Sequence, residues 1–392
     1  MIDESTRICI NCVKSEDLKT YFEKSNLLIE KCLICGKDEL SIDIEQDETV
    51  IKLIRALIRY FYSELEYNDH FGDNNLWDIL KKENPILKNS YKYEENLDIL
   101  VDEIAKDSYA YSEHGVPLYM GFDYNTRLCF TASLRDEESS LLNQYNNRLK
   151  NENYFKVEKN ALSLIKQLSP HILYTFDDTK EFYRARIGYN KKIFSYDVET
   201  FSYSPEDKEF FVPYISKQIS SPPPPLAQPG RLNRVGVSYM YLASEVNTAI
   251  AEVRPHPSHY ISVGKFRVDS RLKFADFRHI NLVNFCSSEE DIENFVFLHS
   301  IGKKFSIPIT PDERDKYLIT QFIADIIRQA GFNGVLFNSS VGNGFNIVIF
   351  DPDEVSYIEE SGQVYKVQSL AYDVIQQKVE LYPENVTHTE LD

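Results

Sequence analysis

Two short cysteine pairs constrain the start of this chain more than any other feature: Cys9-Ile-Asn-Cys12 and Cys32-Leu-Ile-Cys35, separated by residues 13–31. A Cys-x-x-Cys turn aims both thiolates at one point, and two such turns at this spacing can surround a single Zn²⁺ tetrahedrally. Gly36, directly after the second pair, suits the tight turn that presents them. A segment this small has few other ways to fold. Cys9, Cys12, Cys32 and Cys35 are therefore expected to hold a structural zinc in a ribbon over residues 1–44, with no coordination position spare for chemistry. The plainer alternative is two unrelated pairs of free thiols. Cys129 and Cys286 stand alone and read as buried apolar residues.

At 392 residues the chain exceeds one ordinary core, and 43% hydrophobic with 13% aromatic residues is a globular composition. Lys and Arg total 43 against 61 Asp and Glu, a formal charge of −18. Such a surface repels phosphate backbones, so no nucleic-acid partner is expected. No apolar run approaches the roughly 18–20 residues of a membrane span. The opening MIDESTRICINC lacks the basic flank and apolar core of a signal peptide, so a cytoplasmic protein with no membrane partner is expected.

The texture along the chain predicts an α+β protein. Over 45–170 the pattern is helical: Ile51, Ile54, Leu57, Ile58, Phe61 and Leu65 recur every three or four residues. Leu97, Leu100, Val101 and Ile104 repeat it, and Leu162, Ile165 and Leu168 repeat it again before Pro170, expected to stop that helix. Over 171–370 short β-rich runs take over. The candidates are 171–176, 182–187, 237–243, 260–268, 272–277, 335–337 and 345–350, with helices near 289–300 and 313–330, the second closing at Gly331. Between Asn190 and Gly230 the run Ser221-Pro-Pro-Pro-Pro225 predicts a stiff extended loop. Residues 371–392 read as a peripheral tail.

Four patterns in the β-rich half carry chemistry. Phe182-Tyr183-Arg184-Ala185-Arg186 brings two arginines and an aromatic to a strand end. Pro229-Gly230-Arg231-Leu232-Asn233 offers a planar fork of donors after a glycine. Tyr239-Met-Tyr241-Leu-Ala243 is followed by Thr248-Ala-Ile-Ala-Glu252-Val-Arg254-Pro255. Asn338-Ser339-Ser340-Val341-Gly342-Asn343-Gly344 leads to Asn346. Singly, each has a plain reading: an ion-pairing arginine, a core tyrosine, a solvated helix face, a turn.

In this order and combination the four patterns resemble the RES domain family over roughly residues 171–370. The preceding helices resemble the HEPN-like domains found fused to RES modules. An Arg-x₄₋₆-His ribonuclease signature is missing, since Arg59 and His70 lie too far apart, which disfavours RNA cleavage. The resemblance implies an ADP-ribosyltransferase-like fold, breakdown of NAD⁺ by hydrolysis or phosphorolysis, and a toxin of a toxin–antitoxin pair or a defence effector. Carried over, it makes Arg184, Tyr241, Glu252 and Ser339 catalytic, with Ser340 the alternative to Ser339. Arg231, Tyr183, Arg186, Ser340 and Asn346 become substrate-binding.

Those residue types suit the reaction. Cleaving the nicotinamide–ribose bond builds positive charge on the ribose, which a nearby carboxylate, Glu252, stabilises. Arg184 and Arg231 are bidentate partners for the pyrophosphate or an attacking phosphate, and Tyr241 or Tyr183 can stack on the nicotinamide ring. Expected partners are NAD⁺, an antitoxin or regulatory protein, and a second copy of the chain in a homodimer. The rival readings are protein ADP-ribosylation and a non-catalytic scaffold that binds a nucleotide or protein.

Overall fold

The computed structural model describes residues 5–63, 76–106, 133–194, 209–307 and 317–371, with Val374 and Gln376. Leu65, His70, Cys129 and nearly all of the expected tail lie outside these residues. Strands β1 (Arg7–Cys9), β2 (Leu28–Lys31) and β3 (Asp38–Asp43) form an antiparallel sheet in the order β1-β3-β2, with α1 (Glu16–Lys24) between the first two in sequence. The cysteines sit where strands end: Cys9 closes β1, Cys32 follows β2, and Gly36 at φ +68° turns the chain toward β3.

The helical pattern that follows is borne out. Helix α2 (Glu48–Phe61) starts where Asp47 accepts a hydrogen bond from Thr49 N at 3.1 Å, and Val50 through Arg59 are all buried but Lys52. Buried Arg55 faces the end of α4 (Glu94–Ala105), donating from Nε to Ile104 O at 2.6 Å and from Nη2 to Glu103 O at 2.8 Å. It satisfies carbonyls that a helix end leaves open. Helices α3 (Leu76–Lys81), α5 (Ser140–Asn151) and α6 (Tyr154–Ile172) complete this half. Pro170 does not stop its helix: α6 runs on to Ile172. A proline there forfeits only the bond to Lys166 C=O, and Lys166 is exposed, so solvent can take that carbonyl. The strand expected at 171–176 shrinks to β4 (Leu173–Tyr174).

The second half is built on a nine-stranded mixed sheet. Its further strands are β5 (Lys180–Ile187), β8 (Met240–Ala243), β9 (Tyr260–Val268), β10 (Phe274–Asp276), β11 (Gly334–Asn338), β12 (Phe345–Ile349), β13 (Val355–Tyr357) and β14 (Gln363–Lys366). The order is β13-β9-β5-β8-β12-β11-β10-β4, with β14 also on β9. Only the β10–β11 ladder is parallel among those described, and α8 (Glu289–Ser306) and α9 (Tyr317–Gln329) form its crossover. At the end of α9, Phe332 N bonds Ile327 O at 3.4 Å and Gly331 N bonds Arg328 O at 3.1 Å, a Schellman closure at the expected glycine.

Buried side chains of the N-terminal unit and of α2 to α6 join those of α8, α9 and β11 in one continuous core against a face of this sheet. The connection from Asn190 to Gly230 contains more structure than expected. A hairpin of β6 (Lys191–Phe194) and β7 (Glu209–Val212) stacks Phe211 on Tyr260, centroids 4.7 Å apart, and Pro224–Leu226 form a single 3₁₀ turn.

Candidate active site

Strands β5 and β8 are neighbours that share one register pair, Tyr183 with Ala243. Elsewhere β5 is committed to β9 and β8 to β12, so the two diverge and leave an opening in the sheet. Arg184 sits in it. Its Nε donates to Ile219 O at 2.7 Å and its Nη1 to Tyr241 O at 2.8 Å, which spends two of a guanidinium's five donors on backbone. Burial pulls its pKa down to about 10, so it stays charged near neutral pH.

A cavity of about 450 Å³ occupies the opening. Tyr183, Arg184, Arg231, Tyr241, Glu252 and Asn346 all line it. The turn at 230–233 forms one wall. Tyr241 Oη donates to Asn233 Oδ1 at 2.8 Å and accepts from Leu232 N at 3.2 Å, while Gln321 Nε2 donates to Gly230 O at 2.8 Å. Burial pushes the Tyr241 phenol well above its usual value, so it stays protonated as that donor. Arg231 lies 5.8 Å from the Phe337 ring centroid, with Nη1 on the carbonyls of Phe305 and Ser306.

The opposite wall is α7 (Val246–Glu252). Thr248 and Glu252, one turn apart, share a face, and that face is fastened to the loop at 339–344. Thr248 Oγ1 accepts from Gly344 N at 3.1 Å. Glu252 Oε1 accepts from Ser339 Oγ at 2.7 Å and from Asn346 Nδ2 at 2.6 Å. A β-carbon on Gly344 would meet Thr248 Oγ1 at 2.9 Å, so the loop's glycine serves this close approach. Oε2 of Glu252 makes none of these bonds.

Two candidates stand elsewhere. Ser340 is exposed and its hydroxyl donates to Ser306 O at 2.8 Å, which leaves Ser339 as the serine on Glu252. Arg186 is exposed, donates to Gln218 O, and lies 4.5 Å from the Tyr214 ring centroid, away from the cavity. Among the lining residues not assigned a role from sequence are Tyr317, Phe337 and Arg254. Arg254 stood within the quoted motif, but no periodicity distinguishes a cavity-lining arginine from a surface one.

The charged side chains among the described lining residues are Arg184, Arg231, Arg254 and Glu252, so a strongly acidic chain has a locally cationic pocket. In the N-terminal unit, the ligand atoms of Cys9, Cys12, Cys32 and Cys35 lie within 4.8 Å of one another. Backbone N–H groups of Cys9 and Ile34 point at Cys32 Sγ from 3.3 and 3.4 Å. Thiol hydrogen bonds from Cys12 and Cys9 pull the Cys32 pKa far down, while that of Cys12 is driven up by its bonds with Cys32 and Cys9. A thiolate at Cys32 with three further thiols this close calls for a cation among them, which fits a tetrahedral metal. Cys286 is buried as expected.

Mixed strands and helices surround a cationic cleft with one carboxylate among its described lining residues, and residues 209–373 match the RES domain model. The match begins after β5, so Tyr183 and Arg184 join the site through geometry alone. A chain of the M. tuberculosis MbcT–MbcA toxin–antitoxin complex shows 11% identity over 52% of this chain and 92% of that chain, with a TM-score of 0.28, too low to support an inference. No curated protein matches the chain. Among the described residues no helix is long and apolar enough to cross a membrane.

Proposed function

We propose that the RES half cleaves the nicotinamide–ribosyl bond of NAD⁺ and that the chain acts as a toxin on this substrate, on an ADP-ribosyltransferase-like fold. The observation that carries the reading is Glu252: a carboxylate clamped on one oxygen by Ser339 and Asn346, at the wall of a cavity otherwise charged by arginines. As the C1′–N bond breaks, its electron pair leaves with neutral nicotinamide and positive charge spreads over the ribose ring. The Glu252 carboxylate stabilises that charge. An oxygen of water or inorganic phosphate then bonds to C1′, and water gives up a proton in doing so. Arg184 and Arg231 hold the pyrophosphate with the donors not used on backbone. The volume of about 450 Å³ lies within the range of small-molecule sites.

Cys9, Cys12, Cys32 and Cys35 hold one structural zinc in this proposal. The decisive experiment incubates the purified chain with labelled NAD⁺, with and without phosphate. Free nicotinamide with ADP-ribose, or with a phosphorylated ADP-ribose, supports cleavage and names the nucleophile. Label retained on protein identifies a protein ADP-ribosyltransferase instead. Intact NAD⁺ overturns the reading and leaves a binding scaffold.

A further inference from the structure

Helix α7 is a partition. Glu252, Ala249 and Val253 face the first cavity, while Asn247, Ile250 and Ala251 face a second of about 720 Å³, and Arg254 lines both. Three features set Arg254 apart. It has a left-handed backbone, φ +48°, which a residue with a β-carbon adopts at a cost, and it precedes Pro255, a position that favours extended backbone. Its exposed guanidinium makes no hydrogen bond or ion pair with the described residues, whereas Arg184 and Arg231 are both tied to carbonyls. Strain of this kind persists where the surroundings impose it, and it collects at ligand sites.

The second cavity is lined by Arg254, Lys366 and His256 and by no carboxylate among its described residues, in a chain with 61 acidic side chains. Ile250, Tyr365 and Leu370 add apolar surface beside these donors. Arg254 and Lys366 beside a part-apolar lining suit a phosphate that carries a flat, hydrophobic base.

We infer that the second cavity receives the adenylate half of the dinucleotide, with Arg254 holding the pyrophosphate where it crosses from one cavity to the other. This rests on the reading of the first cavity as the nicotinamide-ribose site. Arg254 thereby determines specificity, favouring a dinucleotide over substrates that end at the ribose or at its phosphate. A charge-assisted hydrogen bond to phosphate is worth about ten- to a hundred-fold in affinity.

The test compares NAD⁺, nicotinamide mononucleotide and nicotinamide riboside in the full-length protein, alongside calorimetric titration with ADP-ribose. Arg254→Gly removes the guanidinium and places glycine where φ is positive, so the melting temperature should not fall. Its kcat/KM ratio for NAD⁺ over the riboside should drop about tenfold or more, with Arg254→Lys recovering part of the loss. Lys366→Glu brings a carboxylate into the second cavity and should lower the ratio of NAD⁺ to the mononucleotide. ADP-ribose should bind both variants more weakly than the wild type. Unchanged ratios and unchanged ADP-ribose affinity in both variants would overturn the assignment while leaving NAD⁺ cleavage standing. Wild-type protein that binds ADP-ribose through Arg254 but turns over none of the three substrates would keep the site and remove the reaction.

Discussion

Ser339 donates its hydroxyl to Oε1 of Glu252 at 2.7 Å, and so joins a loop between two strands to the end of a helix early in the RES half. The same oxygen accepts from Asn346 Nδ2 at 2.6 Å. One carboxylate oxygen is thus held by two donors, and the side chain is oriented before any substrate arrives. Pre-orientation of this kind lets a charge act without reorganising during the reaction.

The pair separates two adjacent serines. Ser339→Ala deletes a hydrogen bond to an ionised group, a loss of about 1.5–3 kcal/mol, and should slow NAD⁺ consumption about ten- to a hundred-fold. Ser340→Ala removes an exposed bond to a backbone carbonyl and should leave the rate within about twofold. Equal rates in both variants would place the family serine elsewhere.

The cysteine cluster predicts one zinc per chain by elemental analysis of protein purified without chelator. Cys32→Ser should lower the zinc content and the melting temperature together, because the N-terminal sheet and α1 share a core with α2. The chemical step in whatever protein remains folded should be unaltered. Zinc-free protein with an unchanged melting curve would identify four ordinary thiols.

Much of this was legible because it is local. The two Cys-x-x-Cys turns, the α2 periodicity and the 260–268 strand each follow from a few neighbouring residues, and the chain folds them as read. Glu252 and Ser339 were legible only through the resemblance, since the bond between them depends on how α7 meets the 339–344 loop. Short elements escaped because their stabilisation is tertiary. The β6–β7 hairpin rests on Phe211 against Tyr260, and α6 passes Pro170 because Lys166 is exposed there. The second role of Arg184, bonding two carbonyls where the sheet opens, cannot be read from Tyr183-Arg184-Ala185, because nothing in that string says β5 and β8 will part.

His299 predicts a pH dependence. Its ring lies on Phe295 at 5.7 Å, its Nδ1 is buried without a partner among the described residues, and burial, with Lys303 nearby, pushes its pKa down to about 4. The unfolded chain, with a value near 6.5, binds a proton that the folded chain refuses. Stability from the neutral ring is therefore complete above about pH 6.5 and declines as the pH falls toward 4, by about 2 kcal/mol between pH 7 and pH 5. His299→Phe keeps the stacking and should flatten that part of a denaturation-versus-pH curve. A slope identical to wild type would assign the acid sensitivity to other groups.

Tyr241 has a hydroxyl that holds a turn as well as a ring that lines the cavity. Tyr241→Phe leaves Leu232 N–H and Asn233 Oδ1 without that partner, which should cost about 1–3 kcal/mol in stability. The turn carries Arg231, so KM for NAD⁺ should rise more than kcat falls. A kcat loss at unchanged KM would point to the phenol acting at the reacting centre.

Glu252→Gln is the sharpest of the substitutions. The amide oxygen can take the place of Oε1 and keep both bonds, from Ser339 and from Asn346, while the amide nitrogen replaces the oxygen that makes neither. Shape and anchoring are thereby conserved and only the charge is removed. If the carboxylate stabilises a ribosyl cation, the rate of NAD⁺ depletion should fall about 10²–10³-fold, some 3–4 kcal/mol, as for loss of one preorganised electrostatic contact. Binding should change far less, because the positive charge of the ground state is spread over the nicotinamide ring and reaches the ribose only as the bond breaks. Depletion kinetics and a direct binding measurement on the same folded variant separate these two quantities. A wild-type rate would return Glu252 to the status of a helix-end residue whose partners are structural. Loss of binding at the same scale as loss of rate would make it a group that positions the substrate, since a contact already made in the ground state lowers KM without raising kcat.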